Sequence, residues 1–168
     1  MELKELCEKS KELFKVNDVS ELPTRLFEIV RLNDESIYSQ FVEMIGDLTI
    51  DWLQMIYQYY LADRKEKMQD YTPRSLARLM GALVGDAEEV VDMCAGSGAL
   101  TIQRWAMNHS LQFTLYEFDE NVMPFLLFNM AVRNINCTVI HGDVLQETVF
   151  HKYRLRQGEQ FGKFEEIE

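Results

Sequence analysis

The sequence predicts an α/β protein in two parts: a helical N-terminal region over residues 1–69, then an α/β unit over residues 70–168 built on a short parallel sheet with a C-terminal β-hairpin. Three observations predict it. Apolar residues recur at helical spacing through the first seventy positions. From Glu88 onward, three short β-rich runs alternate with two helical segments. Each of those runs ends beside an acidic residue, and two of them beside glycine. A chain of 168 residues suffices for one ordinary core, or for a small helical subdomain packed on a small α/β unit.

The elements follow in order. Leu3, Leu6, Cys7, Leu13 and Phe14 form the first helical pattern, and Asn17-Asp18 a cap and turn. A helix is predicted near Glu21–Leu32, with Pro23 in its opening turn, and another near Glu35–Ile45. Trp52, Met55, Ile56, Tyr59 and Tyr60 form a fourth pattern. Its aromatic stripe reads as one buried helix face rather than a base-stacking platform. Thr72 suits an N-cap and Pro73 the first position of a fifth helix, with Leu76, Leu79, Met80 and Leu83 at helical spacing and Gly85 ending it. Strands are expected at Val90–Met93, Gln112–Phe118 and Cys137–His141, joined by helices reaching His109 and spanning Glu120–Arg133. That is a right-handed βαβαβ order. The tail from His151 alternates around Gly158, which predicts the hairpin. It either covers the free edge of the first strand or leaves that edge to associate with another chain.

Composition narrows the function. Hydrophobic residues make up 47% of the chain, so a folded core is expected rather than disorder. No run approaches the ~18 apolar residues of a membrane span, and Met1–Leu6 lacks a signal-peptide core. Cys7, Cys94 and Cys137 show no metal or redox spacing, and neither do His109, His141 and His151; a cytoplasmic protein without a bound metal is expected. The net charge of −11 argues against unaided nucleic-acid binding, which needs a basic face to displace counterions from phosphate. The basic runs at Arg64–Lys67 and Lys152–Arg156 are short.

The chemistry lies at the strand ends. The first strand runs into Asp92-Met93-Cys94-Ala95-Gly96-Ser97-Gly98, where glycine permits a sharp turn and close approach of a ligand to bare main chain. The helix that follows offers unpaired N–H groups to an anion. The second strand ends in Glu117-Phe118-Asp119, an acid about twenty residues past the glycines, where a ribose diol is held in nucleoside-containing cofactors. Asp119 can cap the next helix and leave Glu117 for a ligand. The third strand ends in His141-Gly142-Asp143 on the same rim.

Tyr71-Thr72-Pro73-Arg74, Asp92–Gly98, Glu117-Phe118-Asp119 and Gly142-Asp143-Val144-Leu145 together resemble successive motifs of the adenine-N6 DNA methyltransferases of type I restriction–modification systems, over roughly residues 65 to 146. The resemblance implies a Rossmann-like fold and S-adenosyl-L-methionine as cofactor. It implies that Thr72, Asp92, Gly96 and Gly98 hold the methionine part, that Glu117 holds the ribose, and that Asp143 lies near the adenine. Tyr71, Cys94, Phe118 and Val144 belong to the same motifs and complete the candidate set, although Cys94 also reads as a small packing residue.

The chain departs from that family at the catalytic step. Members carry a fourth strand ending in Asn/Asp-Pro-Pro-Phe/Tyr, which receives the target amine and stacks on the flipped base. Here prolines stand only at 23, 73 and 124, and Met93-Cys94-Ala95 replaces the usual Pro-Ala-Cys. A truncated methyltransferase domain is therefore expected. It either serves a DNA-modification or mobile-element system with a partner chain that grips DNA and supplies the missing loop, or binds and senses the cofactor without methyl transfer. A third alternative is a small-molecule or protein methyltransferase.

Overall fold

A computed structural model describes residues 2–62, 72–85 and 87–167. The expected α/β class holds. Four helices come first: α1 (Leu3–Phe14), α2 (Leu22–Arg31), α3 (Glu35–Ile45) and α4 (Trp52–Tyr60). Short acids start three of these segments. Asp18 Oδ1 accepts the N–H of Ser20 at 2.9 Å and opens a 3₁₀ turn before α2, Asp34 accepts that of Ile37 at 3.2 Å, and Asp51 that of Gln54 at 3.0 Å. Each satisfies an N–H that a helix start leaves unpaired. Helix α1 ends where Lys15 enters the left-handed region, at φ 56°.

After α5 (Arg74–Leu83) come β1 (Glu89–Asp92), α6 (Ala99–Met107), β2 (Gln112–Glu117), α7 (Met123–Val132), β3 (Cys137–Asp143), β4 (Thr148–Arg156) and β5 (Lys163–Ile167). The five strands form one sheet in the order β1-β2-β3-β4-β5. The pairs β1–β2 and β2–β3 are parallel, whereas β3–β4 and β4–β5 are antiparallel. Right-handed crossovers stepping one way across the sheet put α6 and α7 on the same face.

Helix α7 is the hub. All ten of its residues are buried, which suits a helix apolar nearly all round. Its Phe128 ring meets Phe14, Tyr38 and Phe41 at centroid separations of 5.4, 5.5 and 5.0 Å, in edge-on geometries worth about 0.5–1.5 kcal/mol each beyond area burial. A single apolar cluster thus runs from Leu6 in α1 to Phe161 before β5, joining the N-terminal helices to the sheet.

Three expectations need correction. The C-terminal hairpin forms, as β4–β5, but it extends the sheet from β3 and leaves the outer edge of β1 without a strand among the described residues. Antiparallel return along β3 takes only a short turn after Asp143, whereas the edge of β1 lies across two intervening strands. The α4 stripe is out of phase: Leu53, Ile56 and Tyr57 are buried while Tyr59 is 71% exposed. The cap at Asp51, fixed by buried partners described below, sets that phase. Finally, Pro73 takes the N-cap of α5 in extended conformation, so the helix starts one residue later than the Thr72 cap implied.

Candidate cofactor site

The carboxyl ends of β1, β2 and β3 lie side by side. Register pairs Asp92 with Leu115, and Glu117 with His141, so the three acid-bearing ends open on one rim. Between β1 and α6 the chain turns through Gly96 at φ 57° and Gly98 at φ 99°, conformations that L side chains avoid. A Cβ on Gly98 would stand 2.7 Å from Met130 Cε, the end of a flexible side chain that can shift, so the backbone conformation rather than packing calls for glycine here.

Asp92 uses one carboxylate oxygen. Oδ1 accepts the N–H of Cys94 at 3.1 Å, while Oδ2 is shut off from solvent and has no hydrogen-bond partner. Burial pushes its carboxyl above the usual range, and the Cys94 bond only partly offsets this. A buried acceptor left unmade costs about 1–3 kcal/mol, the kind of deficit a ligand donor removes.

Glu117 is engaged. Its Oε2 accepts the N–H of Gly96 at 2.8 Å, and Oε1 accepts those of Phe118 at 3.0 Å and Asp119 at 2.8 Å. Glu117 therefore ties the β2 end to the glycine turn itself. Burial raises its pKa, and the three backbone donors pull it back while the nearby Asp119 adds to the rise. Asp119 does cap the next segment, with Oδ1 accepting the N–H of Asn121 at 3.0 Å. Contrary to the expected division of labour, Glu117 is not left free of backbone donors. Oε1 is thus fully used, and only Oε2 keeps one lone pair to spare.

The other candidates fall around these two. Asp143 Oδ1 accepts the N–H groups of Leu145 at 2.9 Å and Gln146 at 3.1 Å, folding the turn past β3, where Val144 is half-buried. Phe118 is 61% exposed, its carbonyl 3.1 Å from His141 Nε2 and its ring 6.3 Å from that of Phe150. Cys94 is exposed, which removes its reading as a packing residue. Thr72 lines a cavity of about 450 Å³ together with Asp51, Gln54, Ala99 and Gln103, so the Thr-Pro segment does reach the first residue of α6. Tyr71 lies outside the described residues. No described group of three or more His, Cys, Asp or Glu is placed to hold a metal ion. No described helix is long and apolar enough to cross a membrane.

A buried polar network behind the turn carries residues that sequence reasoning missed. Ser97 Oγ donates to Asp51 Oδ2 at 2.6 Å, and Asn129 Nδ2 donates to Asp51 Oδ1 and to the Ser97 carbonyl, both at 2.9 Å. Arg133 donates to the carbonyls of Leu48 at 2.7 Å and Ile50 at 2.8 Å, and to Asn129 Oδ1 at 2.8 Å. Gln103 Nε2 also donates to the Thr49 carbonyl. The α3–α4 loop is thereby clamped to the glycine turn and to α7. Burial raises the Asp51 carboxyl and lowers Arg133 to about 10, each opposed by the other's charge. A signal existed: Asn129 and Arg133 stand four apart on an otherwise apolar helix, and such polar residues demand buried partners.

No curated protein and no solved structure matches the chain. The N-6 DNA Methylase family matches residues 48–162, from the α3–α4 loop through the strand ends to the hairpin turn. That span includes Asp51, the glycine turn, Glu117, Asn129, Arg133 and Asp143. With more than half of its length matched and a mixed α/β sheet carrying the motifs at adjacent strand ends, the chain belongs to the N-6 DNA methylase family.

Proposed function

We propose that the protein binds S-adenosyl-L-methionine at the β1–β2–β3 rim and serves adenine-N6 DNA methylation together with a second chain. Family membership supports the methyltransferase reading. The observation that carries the cofactor assignment is Asp92: a carboxylate at the end of β1 with one oxygen buried and unpaired, directly before a turn whose two glycines hold left-handed backbone. That oxygen suits the ammonium of an amino-acid moiety. The start of α6 suits its carboxylate, because the terminal N–H groups and helix dipole favour negative charge. Glu117 has one Oε2 lone pair left to accept a ribose hydroxyl, and exposed Phe118 offers a ring face for adenine.

The cofactor supplies a sulfonium methyl. The chain's own part is to hold the donor in line with an incoming amine, which demands positioning far more than proton transfer. The residues that receive a flipped adenine are not among these 168, which contain no Pro-Pro pair. A partner contributes them in this reading, and also the basic surface that a chain of charge −11 does not offer DNA. A modification or mobile-element system is the setting that joins these parts. The same missing loop favours a second reading, a binder or sensor of the cofactor without turnover. Equilibrium binding of S-adenosyl-L-methionine tests the site. Transfer of a labelled methyl group to adenine-containing DNA, with and without the partner chain, separates the two readings.

A further inference from the structure

One irregularity of the sheet lies beside the candidate cofactor site. Strand β4 runs against β3 in register from Leu155 with Cys137 to His151 with His141, and then slips. Gly142 pairs with Val149, so Phe150 stands opposite no residue of β3. That is a β-bulge, one extra residue that re-aims a side chain. The slip is built into the chain. A Cβ on Gly142 would run into the carbonyl oxygen of Thr148, and a backbone atom cannot give way as the end of a side chain can. The close approach of β3 and β4 therefore requires glycine at 142.

The bulge decides where Phe150 points. Tyr153 and Leu155 take the buried face of β4, so strict alternation would send Phe150 to the opposite face with Lys152 and Arg154. Its ring instead meets His141, at a centroid separation of 5.1 Å and 70° between planes, and Phe118, at 6.3 Å and 54°. His141 reaches the same residue through the main chain. Its Nε2 lies 3.1 Å from the Phe118 carbonyl, which can only accept, so Nε2 carries the proton and donates. Phe118 is thus held at ring and carbonyl by side chains of β3 and β4, while staying 61% exposed.

The geometry of the two rings selects a role. A flat base held between two rings needs them parallel and about 7 Å apart, two van der Waals contacts deep. At 6.3 Å and 54°, no base enters between Phe118 and Phe150. Phe150 therefore backs one side of the Phe118 ring, and the other side is left to a ligand. Phe118 directly follows Glu117, the ribose acid of the proposed site, so a base carried on that ribose comes to its ring.

We infer that Phe150 is a positioning residue for the cofactor's adenine: with His141 it holds the Phe118 ring in the orientation that stacks on the base. The C-terminal hairpin thereby takes part in cofactor recognition without touching the cofactor. This rests on the reading that S-adenosyl-L-methionine binds at the rim. Left unsupported, an exposed ring would be ordered only on binding, which costs roughly three- to tenfold in affinity.

The test is calorimetric titration of the full chain with S-adenosyl-L-methionine and, separately, with adenosine, in the absence of DNA. Phe150→Ala should weaken both by the same factor, about three- to tenfold, and Phe150→Tyr should restore wild-type affinity. Phe118→Ala removes the ring that is held, so adding Phe150→Ala to it should cost nothing further. Both substituted side chains are largely solvent-facing, and circular dichroism checks that the variants fold. Unchanged affinity in Phe150→Ala, a loss for the cofactor without one for adenosine, or losses that simply add in the double variant would each overturn the inference and leave the cofactor site standing. So would wild-type binding indifferent to Phe118→Ala, which would assign the ring to a target base instead. A wild-type chain that takes up neither compound would overturn the cofactor reading and this inference with it.

Discussion

Replacing Asp51 with alanine removes the centre of the network that holds the glycine turn. Three bonds go at once: the α4 cap to Gln54, the acceptor for Ser97 Oγ and the acceptor for Asn129 Nδ2. The lost cap costs about 1 kcal/mol. The stranded Ser97 hydroxyl costs about 1–3 kcal/mol, and Asn129 Nδ2 less, because it keeps its bond to the Ser97 carbonyl. Buried Arg133 keeps its bonds to the Leu48, Ile50 and Asn129 oxygens but loses the Asp51 charge that most opposes its desolvation, adding about 1 kcal/mol. These overlap because the groups share partners, so about 3–5 kcal/mol is expected in total. A small domain has only about 5–15 kcal/mol to lose. Urea unfolding followed by tryptophan fluorescence should therefore show Asp51→Ala losing much of its stability at 25 °C. Asp51→Asn, which keeps the shape and the cap but not the charge, should lose about half as much. A loss below about 1.5 kcal/mol for the alanine variant would show that Asp51 is an ordinary cap and that the network does not hold the turn.

Other consequences follow from the same site. Asp92 has its folded pKa raised by burial. Its stabilising contribution is thus present in full below the ordinary aspartate value and lost as pH rises through the folded one. Asp92→Asn should accordingly raise the melting temperature of the ligand-free protein at pH 7 and flatten its dependence on acid; an unchanged or lower value contradicts the buried-oxygen account. Gly98→Ala puts a side chain at φ 99° and should cost at least the roughly 1 kcal/mol of a strained backbone, with Met130 Cε able to shift away from the new Cβ. A neutral result in thermal unfolding would place the turn differently. Tyr57→Ala should destabilise by about 3–5 kcal/mol, against less than 0.5 for Tyr59→Ala. Equal effects would restore the helix phase expected from sequence.

Much of the architecture could be read before the structure, for a physical reason. Short-range signals fix short-range structure: Pro23 marks a helix start, and Gly96 and Gly98 mark a turn through left-handed backbone. The βαβαβ order follows from alternating periods of 2 and 3.6. What sequence could not give depends on distant contacts. The phase of α4 is settled by Asp51 reaching Ser97 and Asn129, 46 and 78 residues away. The side on which the hairpin joins the sheet is decided by pairing with β3, which local alternation does not encode. Glu117 stood out as an acid in the right place, but its bond to the Gly96 N–H appears only once β1 and β2 are side by side.

Calorimetric titration with S-adenosyl-L-methionine bears most directly on the claim that adjacent strand ends form a cofactor slot. The wild-type chain should bind one equivalent, and Asp92→Asn and Glu117→Gln should each weaken binding at least tenfold, about 1.4 kcal/mol, while remaining folded. No heat with the wild-type protein, or equal affinity in all three, would contradict it.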